Sequence, residues 1–187
     1  MRHHEGWERP RRAGLPPPKR PSGGRAKFPL AFSGKRTLEV GSLNINGTVR
    51  NAFTSSDYVG VDVGNGPGVD VVISGHEYDS EKPFDCCISC ECFEHNPFWK
   101  ETFLNMIRLC ASGGLVIFTC ATTGRPEHGT ERSTPQDSPL TIAKGWSYYL
   151  NLTEEDFSFI DFSSIFTEHQ FSTNAQSCDL YFYGVKA

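Results

Sequence analysis

Long apolar runs are absent from this 187-residue sequence, and so is the short apolar stretch that marks a secretory signal. No segment approaches the roughly 18 consecutive apolar residues that a membrane-spanning helix requires. The sequence therefore gives no reason to expect a membrane protein or a secreted one, and we expect a cytoplasmic protein. At this length, one globular domain is the ordinary expectation.

Acidic and large apolar residues are both scarce at the start of the chain. Residues 1–27 contain eight Lys or Arg residues against two Glu residues and are rich in Pro and Gly. Such a segment buries too little surface to offset the entropy of ordering, so we expect a disordered basic tail, with an arm for a polyanion as the alternative. Residues 28–187 form the expected domain. They contain 10 basic and 20 acidic residues, which argues against nucleic acid as the main partner.

A second Cys-x-x-Cys pair is missing, although seven cysteines are present. Four of them lie within residues 86–92, where Cys87 and Cys90 have the spacing of a zinc-ligand pair. A structural zinc site needs a further pair elsewhere. Since side chains alternate between faces along a strand, buried and reduced thiols explain this run better. We therefore expect no metal site, and a reducing compartment.

The G-x-G-x-x-G fingerprint of dinucleotide-binding folds is also missing. Instead, residues 38–47, LEVGSLNING, form an apolar run that ends in an acid and a glycine, and residues 58–62, YVGVD, form a second run that ends in an aspartate. This spacing is typical of an α/β nucleotide site, where the glycine turn lets the ligand approach and the carboxylate binds ribose hydroxyls. Leu43 and Ile45 are too bulky to lie beside a pyrophosphate, so a nucleoside without phosphates fits better.

Four segments resemble, in order and spacing, the class I S-adenosylmethionine-dependent methyltransferases, especially the small type 11-like ones. They are LEVGSLNINGTVR (38–50), YVGVDVGNGPGVDVV (58–72), FDCCISCECFEHNPFW (84–99) and MIRLCASGGLVIF (106–118). The resemblance implies S-adenosylmethionine as the cofactor. It also implies an α/β, Rossmann-like, seven-stranded and mostly parallel sheet flanked by helices, in the order 3-2-1-4-5-7-6 with the last strand antiparallel.

The alternation of apolar runs with polar or helix-like stretches predicts the elements of that sheet. A helix is expected at 97–111, with Asn96 as its N-cap, another near 47–54 and a third from Thr153. Only six residues, 63–68, separate the second and third strands, so we expect the usual second crossover helix to be missing. The expected strands are 36–41, 58–62, 69–73, 84–90, 114–120, 162–168 and 178–186.

In an open α/β sheet the ligand lies beyond the carboxyl ends of the strands. By resemblance, the backbone around Gly41 holds the methionine part, Glu39 supports the turn or the ammonium group, and Asp62 binds the ribose hydroxyls. The turn at 74–76 would face adenine, although the acid that relatives often have there is missing. Carbonyl oxygens at the end of the fourth strand would surround the sulfonium. The expected cofactor-binding residues are Glu39, Gly41, Ser42, Asp62, Val63, Ser74, Gly75, His76, Cys90 and Glu91.

Two histidines are candidate catalytic residues, because a hydroxyl acceptor needs a base and histidine titrates near neutral pH. His95 follows Glu94 after the fourth strand, and His128 follows the fifth in a glycine-flanked loop. Each has a plain alternative: a capping role for His95 and a solvated loop position for His128. The connection 121–150 is far longer than the ordinary two to about six residues, and its aromatic and arginine side chains suit either substrate selection or anchoring of the loop.

Together these features predict a methyltransferase that acts on a small-molecule or glycan-type acceptor, at oxygen. Two alternatives stay open. One is a non-catalytic binding module that keeps the fold, and the other is an NAD(P)-binding oxidoreductase, which Leu43 and Ile45 disfavour. No pattern in the sequence predicts an oligomeric state.

Overall fold

Seven strands form one sheet in the order β3-β2-β1-β4-β5-β7-β6, in a computed structural model that describes residues 29–54 and 57–187. Every neighbouring pair among β1 to β5 is parallel, and β7 runs antiparallel to both β5 and β6. The predicted order and the antiparallel last strand are confirmed. The strands are β1 Thr37–Val40, β2 Tyr58–Asp62, β3 Val71–Val72, β4 Phe84–Cys90, β5 Cys110–Ala121, β6 Phe166–Asn174 and β7 Asp179–Lys186.

Helix α1, Trp99–Leu109, packs on β4 and β5 and is shorter than the predicted 97–111. It begins later because Asn96 forms a turn of its own. Its side-chain oxygen accepts a hydrogen bond from the Phe98 amide at 2.9 Å, and its carbonyl accepts one from the Trp99 amide at 3.1 Å. The helix ends at Leu109, and the glycines at 113–114 lie inside β5 rather than at a helix end.

The other predicted helices are reduced to single turns. Residues 47–54 contain only the 3₁₀ turn Arg50–Ala52, and the helix expected from Thr153 is the 3₁₀ turn Glu154–Phe157. The capping box that Thr153 forms with Asp156 is present, so the start of this turn was predicted correctly but its length was not. Two short helices complete the described fold, α2 Pro139–Ala143 and α3 Phe162–Ile165, with further 3₁₀ turns at Pro29–Phe32, Phe93–His95 and Pro135–Asp137.

The sixth strand lies later than predicted. The sequence placed it at 162–168, but the side chain of Asp161 accepts a hydrogen bond from the Ser163 amide and starts α3 there. The strand then runs from Phe166 to Asn174 as the outer edge of the sheet, paired only with β7. Most of its side chains are exposed, so the polar run after residue 166 gave no apolar signal of a strand.

Both faces of the sheet are covered, and successive side chains of β4 enter opposite cores. Cys87 packs in the larger core with Phe103 of α1, whereas Cys86 and Ile88 pack in the smaller core with Phe53. All seven cysteines are free thiols, and four of them are buried. The predicted alternation is confirmed for Cys86, Cys87 and Cys90, whereas Cys92, expected on the same strand, lies beyond its end.

The connection between β2 and β3 contains no helix, as predicted. Residues 63–70 instead pack as a loop on the turn that follows β1. The Asn44 amide donates to the Pro67 carbonyl at 2.8 Å, and the Gly60 amide donates to the Asp70 carboxylate at 2.7 Å. This loop therefore borders the carboxyl edge of the sheet at the place where a crossover helix would begin.

The expected disordered tail, residues 1–27, lies outside the described residues, so the boundary at residue 28 stays a prediction. Within the described ranges, no helix is both long enough and apolar enough to cross a membrane.

Candidate functional site

A cavity of about 870 Å³ opens at the carboxyl edge of the parallel strands. Its walls come from the ends of four strands, β1, β2, β4 and β5, and from the start of the antiparallel β7. Sites for small ligands commonly have volumes of about 300–1,000 Å³, so this cavity has the size of a ligand site. Among the predicted site residues, those that line it are Gly41, Asp62, Cys90, Glu91, His95 and His128.

The turn after β1 brings bare backbone to the cavity. Gly41 has φ +78°, a conformation that side chains with a Cβ rarely adopt. A Cβ at this position would lie 2.6 Å from the Cβ of Cys92, so no other residue fits without displacing the segment after β4. The turn therefore needs glycine for two independent reasons. Leu43 and Ile45, which follow in the turn, also line the cavity.

Asp62 holds this turn in place from the end of β2. One carboxylate oxygen accepts a hydrogen bond from the Leu43 amide at 2.9 Å, and the other accepts one from the Val63 amide at 2.7 Å. Burial raises the pKa of this carboxyl, and the two amide bonds lower it. Each oxygen keeps a second lone pair, so the side chain still has acceptor capacity for a ligand in the cavity.

Glu39 lies beneath the site rather than in its wall. Its carboxylate accepts a 2.8 Å hydrogen bond from the Tyr58 hydroxyl, and both groups are buried. Burial raises the pKa of Glu39 to about 7, while the hydrogen bond from Tyr58 and the charge of Arg50 oppose that rise. This pair ties β1 to β2 directly below the glycine turn.

Five further predicted cofactor residues do not line the cavity. Ser42 is buried facing Gly60, and Val63 contributes its amide to Asp62. The predicted adenine turn lies against α1: the Gly75 carbonyl accepts a 2.8 Å hydrogen bond from the side chain of Asn105, and His76 stacks on Phe98 with ring centroids 4.5 Å apart. The structure thus separates a central group of predicted residues at the cavity from a peripheral group, which is Ser42, Val63, Ser74, Gly75 and His76.

Glu91, directly after β4, has a strained backbone. Its φ is +52°, which is uncommon for a residue with a side chain and is found most often at functional sites. One carboxylate oxygen accepts a 2.7 Å hydrogen bond from the Thr119 hydroxyl of β5. The other oxygen has no hydrogen-bond partner and lies 3.6 Å from a guanidinium nitrogen of Arg125.

Arg125 connects three elements around the cavity. It donates hydrogen bonds to the Asp179 carboxylate at 2.7 Å and to the Ser177 carbonyl at 2.6 Å, in addition to its contact with Glu91. Asp179 also accepts a hydrogen bond from the Tyr181 hydroxyl at 3.0 Å. The first part of the long connection after β5 is therefore anchored to the start of β7.

His95, His128 and Tyr149 form an aromatic cluster at the same end of the cavity. The two imidazole centroids are 4.8 Å apart, and the Tyr149 ring lies 5.5 Å from His95 and 5.0 Å from His128. Nδ1 of His128 lies 3.1 Å from the Pro126 carbonyl. His95 is only 5% exposed, and burial, with the nearby charges of His128 and Arg125, lowers its pKa to about 3. Its imidazole is therefore neutral at neutral pH.

Glu94 lies beside the two histidines of this cluster. The side chain is fully buried, and one carboxylate oxygen accepts a 3.2 Å hydrogen bond from the Ala121 amide. The other oxygen has no hydrogen-bond partner. Burial, with the charge of Glu91, raises the pKa of Glu94 well above its ordinary value. Donor atoms of Glu94, His95 and His128 all lie within 4.8 Å of one another.

Sequence reasoning missed Asp179 and Tyr181. Both line the cavity because β7 is antiparallel, so its first residues lie where the parallel strands end; Asp179 pairs with Ala121, the last residue of β5. The predicted strand order already contained this signal, since the start of an antiparallel strand must face the ligand edge. The sequence did place Arg125 and His128 in the long connection, and both line the cavity. Its residues 134 and 137–141 do so as well.

Comparisons with known proteins identify the fold of this chain. No protein-family model matches the chain, and no curated protein sequence matches it. Among solved structures, a 1,6-didemethyltoxoflavin-N1-methyltransferase of Burkholderia thailandensis has a TM-score of 0.59 at 15% identity, over 89% of this chain and 77% of that one. The N-methyltransferase NodS of Bradyrhizobium japonicum has a TM-score of 0.53 at 12% identity, over 88% and 93%.

A third similar structure is an rRNA methylase of Streptococcus thermophilus, with a TM-score of 0.53 at 11% identity over 90% of this chain and 97% of that one. At such identities the likeness shows the fold alone. The chain therefore has the class I S-adenosylmethionine-dependent methyltransferase fold that the four sequence segments predicted.

Proposed function

We propose that this protein is an S-adenosylmethionine-dependent methyltransferase that acts on an oxygen of a small-molecule acceptor. One observation carries the proposal: a single cavity at the carboxyl edge joins the Gly41 turn and Asp62 at one end to the histidine cluster at the other. A methyl donor and its acceptor must lie together in one such space, because direct transfer requires the two reacting atoms to be aligned.

The residues at the first end fit the proposed cofactor. S-adenosylmethionine supplies a methyl group on a positively charged sulfur. The backbone at Gly41 is open to a ligand because no Cβ fits there, and the free lone pairs of Asp62 match ribose hydroxyls. The carboxylate of Glu91 adds negative charge beside the cavity, which suits a cationic ligand. Two of the similar structures described above are N-methyltransferases, and the toxoflavin enzyme was solved with S-adenosylhomocysteine.

The residues at the second end suit an acceptor hydroxyl. A carbonyl oxygen only accepts hydrogen bonds, so the contact with Pro126 places the proton of His128 on Nδ1 and leaves a lone pair on Nε2. In a site without a bound cation, this nitrogen is the group that would accept the proton of a hydroxyl acceptor. His95 and Tyr149 hold the imidazole by ring contacts. The glycan-type acceptor remains one of the small molecules to test.

A non-catalytic module with the same fold is the second candidate. It is favoured by the placement of residues 74–76, which pack against α1 and present no acid to the cavity. A chain that had lost turnover could still keep the Gly41 turn and the Asp62 contacts. An oxidoreductase is disfavoured because Leu43 and Ile45 line the cavity where a pyrophosphate would need open backbone amides.

Calorimetric titration with S-adenosylhomocysteine and with NADH separates these functions. The proposal expects S-adenosylhomocysteine to bind, NADH not to bind, and transfer of a labelled methyl group in a screen of hydroxylated small molecules. Binding without transfer to any acceptor supports the module. Binding of NADH in preference to S-adenosylhomocysteine would exclude the methyltransferase.

A further inference from the structure

We infer that Glu94, His95 and His128 form a binding site for a divalent cation at the acceptor end of the cavity, and that this cation binds the acceptor oxygen. The inference rests on the proposed function and names how the acceptor is held. The sequence expectation of no metal was argued from the cysteine thiolates, which take no part in this cluster.

The first support is the geometry of the donor atoms. One oxygen and two imidazole nitrogens from three different side chains lie within 4.8 Å of one another. Zinc-type ions bind such atoms at about 2.0–2.2 Å, so two ligands of one ion are at most about 4.3 Å apart. Atoms as far apart as 4.8 Å therefore need to approach by at least about 0.5 Å when an ion binds. Two imidazoles and a carboxylate favour Zn²⁺, Fe²⁺ or Mn²⁺ over Mg²⁺.

The second support is the lack of partners for two atoms in this cluster. Glu94 is fully buried and His95 is 5% exposed, yet one carboxylate oxygen of Glu94 and Nδ1 of His95 have no hydrogen-bond partner. More than about nine in ten buried polar atoms in proteins are satisfied, and each exception asks for an explanation. The buried Tyr149 hydroxyl beside them also has no hydrogen-bond partner. One bound cation would account for the two atoms that belong to Glu94 and His95.

The third support is the orientation of the two imidazoles. Nδ1 of His128 donates to the Pro126 carbonyl, which leaves Nε2 as the atom with a lone pair. Nδ1 of His95 is buried and has no hydrogen-bond partner, so this nitrogen is open to a ligand. Metal-binding histidines usually have their second nitrogen fixed in this way by a carbonyl or a carboxylate. Each ring thus keeps one nitrogen without a protein partner.

The charges around the cluster also favour a cation. The only cationic side chain beside the cluster among the cavity-lining residues, Arg125, is paired with Asp179 and Glu91. Glu127 is paired with Arg132, away from the cluster. Glu94 makes no ion pair among the described residues, so its unpartnered oxygen is available to a cation.

A cation held by three protein ligands keeps one coordination position open, and the acceptor binds there. An acceptor hydroxyl that binds at this position becomes more acidic, as water does at catalytic zinc sites, and releases its proton to solvent through the open cavity. The acceptor oxygen then forms a bond to the methyl carbon, the carbon–sulfur bond breaks, and its electron pair stays on sulfur, which becomes neutral. In this arrangement His128 is a ligand and does not accept the proton.

The test measures cation binding directly, without turnover. The full chain, treated with chelator, is titrated with Zn²⁺ and with Mn²⁺ by calorimetry, and we expect one site per chain. Glu94→Gln and His128→Ala should each weaken binding by about 10- to 100-fold or more. His169→Ala, a histidine of β6 that does not line the cavity, is the matched control and should bind as the parent does.

His128 is half-buried in a loop, so its variant remains informative if Glu94→Gln fails to fold. No binding by the parent chain, or equal binding by the parent and the His128→Ala variant, would overturn the inference. A parallel titration with S-adenosylhomocysteine tests the proposed function separately. Binding of that ligand without any cation site removes only this inference, whereas a cation site without such binding removes the proposed function and leaves the cation site without its role in holding the acceptor.

Discussion

The two ends of the cavity are built in opposite ways. At the end formed by β1 and β2, the two carboxyl groups are partnered: Asp62 accepts two amide hydrogen bonds, and Glu39 accepts one from Tyr58. At the end formed by the segments after β4 and β5, Glu91, Glu94 and His95 each have a buried atom without a hydrogen-bond partner. The carboxyl groups of the first end leave no buried oxygen without a hydrogen-bond partner, and those of the second end do.

Under the proposed function, this difference separates the end that binds the cofactor from the end where the acceptor reacts. A partnered network is rigid and presents a fixed surface, which suits recognition of an invariant ligand. Buried atoms without partners cost free energy in the empty protein and are stabilised only when something occupies the site. A substrate or a cation bound at the acceptor end would therefore stabilise the protein by giving these atoms a partner. Variants at the two ends should separate effects on cofactor binding from effects on turnover.

The largest effect is expected from His128→Ala. Turnover should fall by about 10²- to 10⁴-fold, the usual contribution of a positioned general base, and loss of a cation ligand would act in the same direction. Affinity for S-adenosylhomocysteine should be unchanged, because the histidine lies at the other end of the cavity. Steady-state kinetics and calorimetry on the same variant measure the two quantities.

His169→Ala is the control for that variant and should retain full turnover. If His95→Ala abolishes turnover while His128→Ala retains it, the base is to be sought directly after β4. If both variants stay active, alignment alone accounts for the rate, and the division between the two ends disappears.

The next effect concerns stability and pH at the partnered end. Glu39 has a pKa of about 7 in the folded chain, against an ordinary value of 4.5. The folded state therefore binds the proton more tightly, so this stabilisation is complete below about pH 4.5 and is lost as the pH rises through 7. The difference corresponds to about 3 kcal/mol of unfolding free energy at most.

Glu39→Gln should remove that dependence, because the amide keeps an oxygen for Tyr58 but does not titrate. Urea unfolding at pH 5 and pH 8 gives the change in unfolding free energy with pH for each protein. The change in the parent minus the change in the variant is the contribution of Glu39. Glu77→Gln, an exposed control, should show the parent's dependence. Equal pH dependence in the Glu39 variant and the parent would mean that Glu39 is ionised throughout.

The contrast between the two ends also explains which parts of the site could be predicted from the sequence. The Gly41 turn and Asp62 come from adjacent strands within about 20 residues, so spacing and residue type suffice to place them. The sheet order was reachable because apolar runs mark its strands. The acceptor end combines residues from 91–95, 125–128 and 176–181, and nothing local connects them. Edge strand β6 was misplaced for a related reason, since its exposed polar residues carry no apolar pattern.

A third effect, of about 2–3 kcal/mol, is expected at Asp62. Asp62→Ala removes a charged acceptor and also frees the amides of Leu43 and Val63, so affinity for S-adenosylhomocysteine should fall by roughly that amount. Asp79→Ala, an exposed aspartate paired with Arg108 outside the cavity, is the control. An unchanged dissociation constant, measured by calorimetry, would remove Asp62 from the cofactor end.

The smallest effect is a difference between two glycines. Gly41 and Gly113 have similar φ angles, +78° and +74°, so an alanine is strained by about 1–2 kcal/mol at either place. Only at Gly41 would the new Cβ meet another atom, at 2.6 Å from Cys92, whereas nothing lies within 4 Å at Gly113. We expect Gly41→Ala to be less stable than Gly113→Ala by about a further 1–2 kcal/mol, from overpacking.

Urea denaturation measures this difference, and calorimetry should show that only Gly41→Ala loses affinity for S-adenosylhomocysteine. If the two variants are equally stable and bind S-adenosylhomocysteine equally well, the Gly41 turn shifts to accommodate the Cβ. The cofactor end would then be no more rigid than the acceptor end.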